Sequence, residues 1–170
     1  MDVFSRTFLP ATAEAALPIP TVSRHMPAIR RCVEPDDATV FINRCLRPER
    51  PLNGEHLLLL TQRRLVVTTE TRFLHRIRLY LNADVRDLTN VDWTPDLRMS
   101  AVELAVTAHD GIRERFWIKL GMPSRVWHLD ALLSHVFRPR PAVTTHRADP
   151  PAAAPEHFGE GWYSSRATAA

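Results

Sequence analysis

Near the end of the patterned part of the chain, Arg113, Arg115, Trp117 and Lys119 recur at every second position. Successive side chains of an extended strand point to opposite faces, so this spacing places all four on one side. An indole among three cations suits phosphate groups, aromatic stacking, or contact with a membrane interface. The intervening residues Ile112, Glu114, Phe116 and Ile118, followed by Leu120, line the opposite face, which is the candidate core face. Arg72, Arg76 and Arg78, with His75, form a second basic stretch around another strand, and Arg63 and Arg64 stand at a nearby turn. The ordinary reading of both stretches is solvated charge on an outer face.

Other chemistries find less to work with. None of the eight histidines forms a His-Glu-x-x-His pattern or stands at ligand spacing from a cysteine, so no metal is expected. His128 and His135 lie seven residues apart and read as a surface pair on one helix face. There is no Gly-x-Ser-x-Gly elbow and no glycine-rich phosphate loop in a chain with only five glycines. Neither a catalytic residue nor a cofactor is therefore expected, and the chain reads as a non-enzyme. Cys32 and Cys45 do not form a Cys-x-x-Cys pair, and nothing else points to an oxidising compartment in which they would join. Net charge is +3, with Lys119 the sole lysine, a balance that permits an anionic partner without requiring one. A third candidate is the aromatic island Phe158, Trp162 and Tyr163, set in low-complexity surroundings. Such islands dock on a protein partner or fold back on their own domain.

The elements that would position these residues occupy the middle of the chain. Residues 1–37 read as an N-terminal extension, partly disordered, with a short helix after Pro27 that places Ile29, Cys32 and Val33 on one face. From Ala38 the texture becomes β. Thr39–Asn43, His56–Thr61 and Leu65–Thr69 are rich in apolar and branched residues, and the last two should pair antiparallel. Arg76–Leu81 nearly alternates, with Ile77, Leu79 and Leu81 on one side, and Trp93 marks the next strand. Val102, Leu104 and Val106 alternate up to His109-Asp110-Gly111, a hairpin signal. Ser124–Phe137 carries Val126, Leu129, Leu133, Val136 and Phe137 at helical spacing, and Pro139 and Pro141 stop it. Residues 138–170 are rich in Pro, Ala, Ser and Thr and read as a disordered tail. No run approaches the length of a membrane span, and Pro10, Glu14, Pro18 and Pro20 interrupt any signal-like stretch. A cytoplasmic protein, soluble or peripheral to the membrane, is the expectation.

The fold class expected is mainly β with one C-terminal capping α-helix and flexible tails at both ends. Leu57–Val67, Leu88-Thr89-Asn90-Val91-Asp92-Trp93 and the hairpin-plus-helix of 101–137 together resemble the bacterial pleckstrin-homology-like domain found singly in actinobacterial proteins. Gln62 stands where that family often has Asp, and the resemblance covers residues 38–137. It implies a barrel or sandwich used as a binding scaffold for lipid headgroups, peptides or other domains. It also gives the basic stretch around Arg72, Arg76 and Arg78 the position of a headgroup site. The function expected is a binding or adaptor domain that recruits a protein partner at or near the membrane surface. Binding of an anionic lipid headgroup or nucleic acid through the arginine faces is the alternative.

Overall fold

The structure, a computed structural model, describes residues 2–49, 56–71 and 76–137. Arg72, His75, Phe158, Trp162 and Tyr163 lie outside the described residues, as does the rest of the C-terminal segment from residue 138.

Seven strands form one antiparallel sheet: β1 (Thr39–Leu46), β2 (His56–Thr61), β3 (Arg64–Glu70), β4 (Ile77–Asp84), β5 (Thr89–Asp96), β6 (Ala101–Thr107) and β7 (Arg113–Lys119). Their spatial order is β4-β3-β2-β1-β7-β6-β5. The expected pairing of β2 with β3 is present, with Leu58 opposite Val67. The β6–β7 hairpin turns through Gly111 at φ +78°, and the Asp110 side chain accepts the Ile112 amide hydrogen at 3.0 Å. Only a residue without Cβ enters that left-handed conformation freely.

The sheet is open but strongly curled. The Tyr80 hydroxyl on β4 donates to Glu114 Oε1 on β7 at 2.6 Å. These strands are four positions apart, which in a flat sheet would separate them by roughly 19 Å. Curling gathers Leu58, Leu60, Leu65, Val67, Leu104, Phe116 and Ile118 into one inner core. Helix α3 (Pro123–Phe137) closes that core, burying Val126, Leu129 and Leu133, with Val136 packed beside them. Trp93 Nε1 on β5 donates to Asp130 Oδ1 of α3 at 2.7 Å.

The N-terminal region departs from expectation. In place of a partly disordered extension there are two helices, α1 (Val3–Glu14) and α2 (Ile19–Arg30). Asp2 caps α1 by accepting the Ser5 amide hydrogen at 2.6 Å. Phe4 and Phe8, 1% and 0% exposed, form a second core with Leu17, Ile29, Cys32 and Val33 against Ile42, Leu57, Leu59 and Val66. That core covers the outer face of β1, β2 and β3. Pro10 and Pro27 sit inside the two helices on exposed positions, so the helix expected after Pro27 instead begins at Ile19 and ends at Arg30. Each removes one helical hydrogen bond, a cost offset by burial of the aromatic stripe. The compact unit therefore runs from the N-terminus, Met1–Pro139, and does not begin at residue 38.

Two smaller corrections follow from the packing. Leu79 does not share the core face with Leu81. A register shift opposite Val67 and Thr68 leaves Tyr80 as the extra residue, which turns Tyr80 inward and leaves Leu79 exposed. Ile112 lies in the hairpin ahead of β7 and is exposed, so the inward row begins at Glu114. Cys32 and Cys45 belong to the outer and inner cores on opposite faces of the sheet, and no disulfide joins them. No helix among the described residues is long and apolar enough to cross a membrane.

Candidate functional site

Strand β7 does place Arg113, Arg115, Trp117 and Lys119 on its outer side, but their surroundings divide them. Arg113 Nη1 donates to the Asn90 carbonyl oxygen at 3.0 Å. Arg115 Nε donates to Glu103 Oε1 at 2.6 Å, and its Nη2 lies 2.5 Å from the same oxygen. The register explains the pairing: Ala105 stands opposite Arg115 and Glu103 opposite Trp117, so Glu103 is the diagonal neighbour of Arg115. Asp92, opposite Ala105 on β5, adds a second carboxylate to the shallow hollow that holds both arginines. Two cations facing two carboxylates carry no net charge, so this half of the row offers an incoming anion little attraction.

The other half belongs to a different feature. Pairing between β1 and β7 is confined to Cys45 opposite Ile118 and Leu46 opposite Trp117. Beyond Lys119 the chain turns away, with the Leu120 amide donating to the Ser100 carbonyl at 2.8 Å and Gly121 at φ +76° leading into α3. The two strands diverge and leave a groove of about 380 Å³. Its described lining includes Arg44, Lys119, Arg125 and Trp117, and no carboxylate. The Lys119 ammonium lies 5.2 Å from the centroid of the Trp117 ring, over its electron-rich face. Arg125 spans the top, its guanidinium donating to the Glu14 carbonyl at the end of α1. The N-terminal helix and α3 thus hold one bank of the groove in place. An oxyanion entering here meets Lys119 of β7 and Arg125 of α3 beside an aromatic face.

A third constellation is buried at the end of the curled sheet where β1 ends and β2 begins. Arg47 Nη2 donates to Glu114 Oε2 at 2.8 Å while the Tyr80 hydroxyl occupies Oε1. The Arg47 guanidinium lies 4.5 Å from the Tyr80 ring centroid, and the His56 ring is 5.5 Å from that of Tyr80. His56 is 3% exposed, and neither ring nitrogen has a hydrogen-bond partner among the described residues. Burial, and then the nearby Arg47 charge, hold its pKa below the ordinary imidazole value. On the other face, burial lowers His25 as well, with its Nδ1 2.7 Å from Thr68 Oγ1. Glu114 is saturated by two donors, and an ion pair so enclosed is a structural plug rather than a poised base.

Arg78 on β4 and Arg76 just before it are exposed, and they line neither the hollow of Arg113 and Arg115 nor the groove at Lys119. Arg63 is engaged by Glu34 and Asp36 at 2.7 and 2.9 Å. Among the described residues no group of three or more His, Cys, Asp or Glu is gathered as a metal would require. Sequence reasoning missed Arg44, Arg47, His56, Tyr80, Glu114 and Arg125 as site residues. One signal was present: Glu114 is a lone carboxylate in an otherwise apolar row, which demands a buried partner. Arg44 and Arg125 had no comparable signal, because only the divergence of β1 from β7 brings them together.

No family model matches this chain, and neither the curated proteins nor the solved structures contain a match.

Proposed function

We propose that this chain is a non-enzymatic binding domain of pleckstrin-homology-like architecture that recruits a protein partner through an anionic group held in the β1–β7 groove. Support for the architecture comes from the curled seven-strand antiparallel sheet with a C-terminal helix closing its core. The observation that carries the functional reading is the groove itself: Lys119 and Arg125 beside Trp117, with no carboxylate in the described lining. Nearby Arg115 shows the contrast, since a cation on the same strand is already matched by Glu103. In this reading the domain works in the cytoplasm beside the membrane, where its two thiols stay reduced.

The test is a titration with inorganic tripolyphosphate, followed by backbone amide shifts. The largest shifts are expected at Leu46 and Trp117–Gly121, and they should shrink as salt rises. Lys119→Ser should abolish them and Arg115→Ser should not. Shifts centred on Arg113 and Arg115, or no response at low salt, would defeat the groove as an anion site.

A further inference from the structure

We infer that two copies of this chain pair through β4, the strand that ends the sheet, running antiparallel about a two-fold axis at the Tyr80 bulge. The groove plays no part in this contact.

β4 pairs with β3 on one side, and among the described residues no strand pairs with its other side. None of its eight residues is buried, and Leu79 is 49% exposed. Helix α2 reaches this part of the sheet on its outer face, where His25 Nδ1 lies 2.7 Å from Thr68 Oγ1 of β3. The ladder fixes which β4 backbone groups point to the open edge. At one end the Thr71 amide donates to the Arg76 carbonyl, and at the other the Val85 amide donates to the Arg63 carbonyl. Residues of an antiparallel pair alternate between exchanging hydrogen bonds and turning those groups away from each other. Followed inward from both ends through the register, Ile77, Leu79, Asn82 and Asp84 turn their N–H and C=O groups outward. Tyr80, the extra residue at the register shift, widens the central interval. The outward groups therefore stand at intervals of two, three and two residues.

That spacing selects the occupant. A regular strand presents edge groups at every second residue, so it matches β4 on one side of the bulge and falls out of step on the other. A second copy running antiparallel carries the same intervals in reverse, and two, three, two reads the same both ways. Ile77 then stands opposite Asp84 of the second copy and Leu79 opposite Asn82 of the second copy, each relation repeated by the symmetry. Tyr80 and Leu81 sit at the axis. A bulge ordinarily spoils an edge for added strands. Here it restricts the edge to a partner bearing the same offset. Charge agrees with this direction. Arg78, and Arg76 just before β4, stand at one end and Asp84 at the other, so antiparallel pairing sets the cations of each copy near the carboxylate of its mate. The opposite edge of the sheet, β5, carries Pro95, which has no amide hydrogen to offer a strand. β4 contains no proline.

Sedimentation equilibrium of the full chain, followed up to about 1 mM protein, should show a reversible monomer–dimer equilibrium. Leu79→Lys, a change at an exposed edge position, should raise the dissociation constant at least tenfold while the amide spectrum keeps its folded dispersion. Cross-linking then checks the register. Residues that exchange hydrogen bonds across antiparallel strands lie about 5.5 Å apart at Cα, within disulfide range. The chain carrying both Leu79→Cys and Asn82→Cys should therefore form a covalent dimer on mild oxidation. Leu79→Cys alone should not, because its two copies stand about 10 Å apart along the paired strands. Cys32 and Cys45 are buried and common to every variant. A monomer at every concentration overturns the inference. So does a dimer that Leu79→Lys leaves unchanged, or a doubly substituted chain that cross-links no better than Leu79→Cys alone, since either result places the contact elsewhere.

Discussion

The two halves of the sheet differ in how many faces they bury. β2 has six consecutive buried residues, His56–Thr61, because Leu58 and Leu60 enter the inner core while Leu57 and Leu59 lie under Phe4 and Phe8. β7 alternates: Glu114, Phe116 and Ile118 are buried, while Arg113, Arg115 and Lys119 are exposed. A strand covered on one face shows period two, whereas a strand covered on both becomes a continuous apolar run. The comparison teaches where a partner can reach. α1 and α2 occupy the outer face of β1–β3, so a ligand has the β5–β7 face or the seam between the halves.

The largest effects should come from breaking each core separately. Phe8→Ala removes a fully buried ring from the outer core and should cost about 3–5 kcal/mol in chemical denaturation. A loss below about 1 kcal/mol would mean that α1 is a loosely held cover. Leu133→Ala, in the inner core beneath α3, should cost about 2–5 kcal/mol. Because the two cores lie on opposite faces, the double variant should lose the sum to within roughly 0.5 kcal/mol. A larger deviation would show that the sheet transmits strain between them.

Acid should weaken both cores, since each buries one histidine whose pKa is lowered, first by desolvation: His25 outside, His56 inside. A folded-state pKa below the unfolded value means that the unfolded chain takes up the proton first. The stability due to each neutral imidazole is therefore complete above about pH 6.5, the ordinary histidine value, and is lost as pH falls toward the folded pKa. Each histidine contributes a slope of at most about 1.4 kcal/mol per pH unit. Denaturation midpoints measured from pH 7.5 to 5 should decline for the native chain and decline less for His56→Leu. A flat profile in the native chain would contradict the burial of both rings.

The smallest stability effect belongs to the open face. Arg115→Ser severs a half-exposed pair with Glu103 and should cost under about 1 kcal/mol. A melting temperature several degrees lower would show that the outer face of β7 is covered by another segment and is structural.

Much of the architecture was legible because it follows from local patterns. The Asp110-Gly111 turn, the alternation in β6 and β7, the β2–β3 pair and the apolar stripe of α3 each rest on neighbours within a few residues. The stripe of Phe4, Phe8 and Ala11 was also present at helical spacing, but Pro10 inside it carries a breaking signal that burial overrides. At the site, alternation along β7 was enough to place Trp117 and Lys119 on one side of the strand. It could not separate them from Arg113 and Arg115, because Glu103 and Asp92 belong to other strands.

By itself, then, the sequence determined the period of each element and the face on which its apolar residues lie, since both depend on backbone geometry over a few residues. Tertiary structure alone decided that β1 and β7 part after two residue pairs, that Arg125 crosses from α3 to the end of α1, and that Glu114 meets Arg47 and Tyr80. Those contacts join residues 34 to 111 positions apart. They depend on the curl of the sheet and on where two helices pack, which no local pattern encodes.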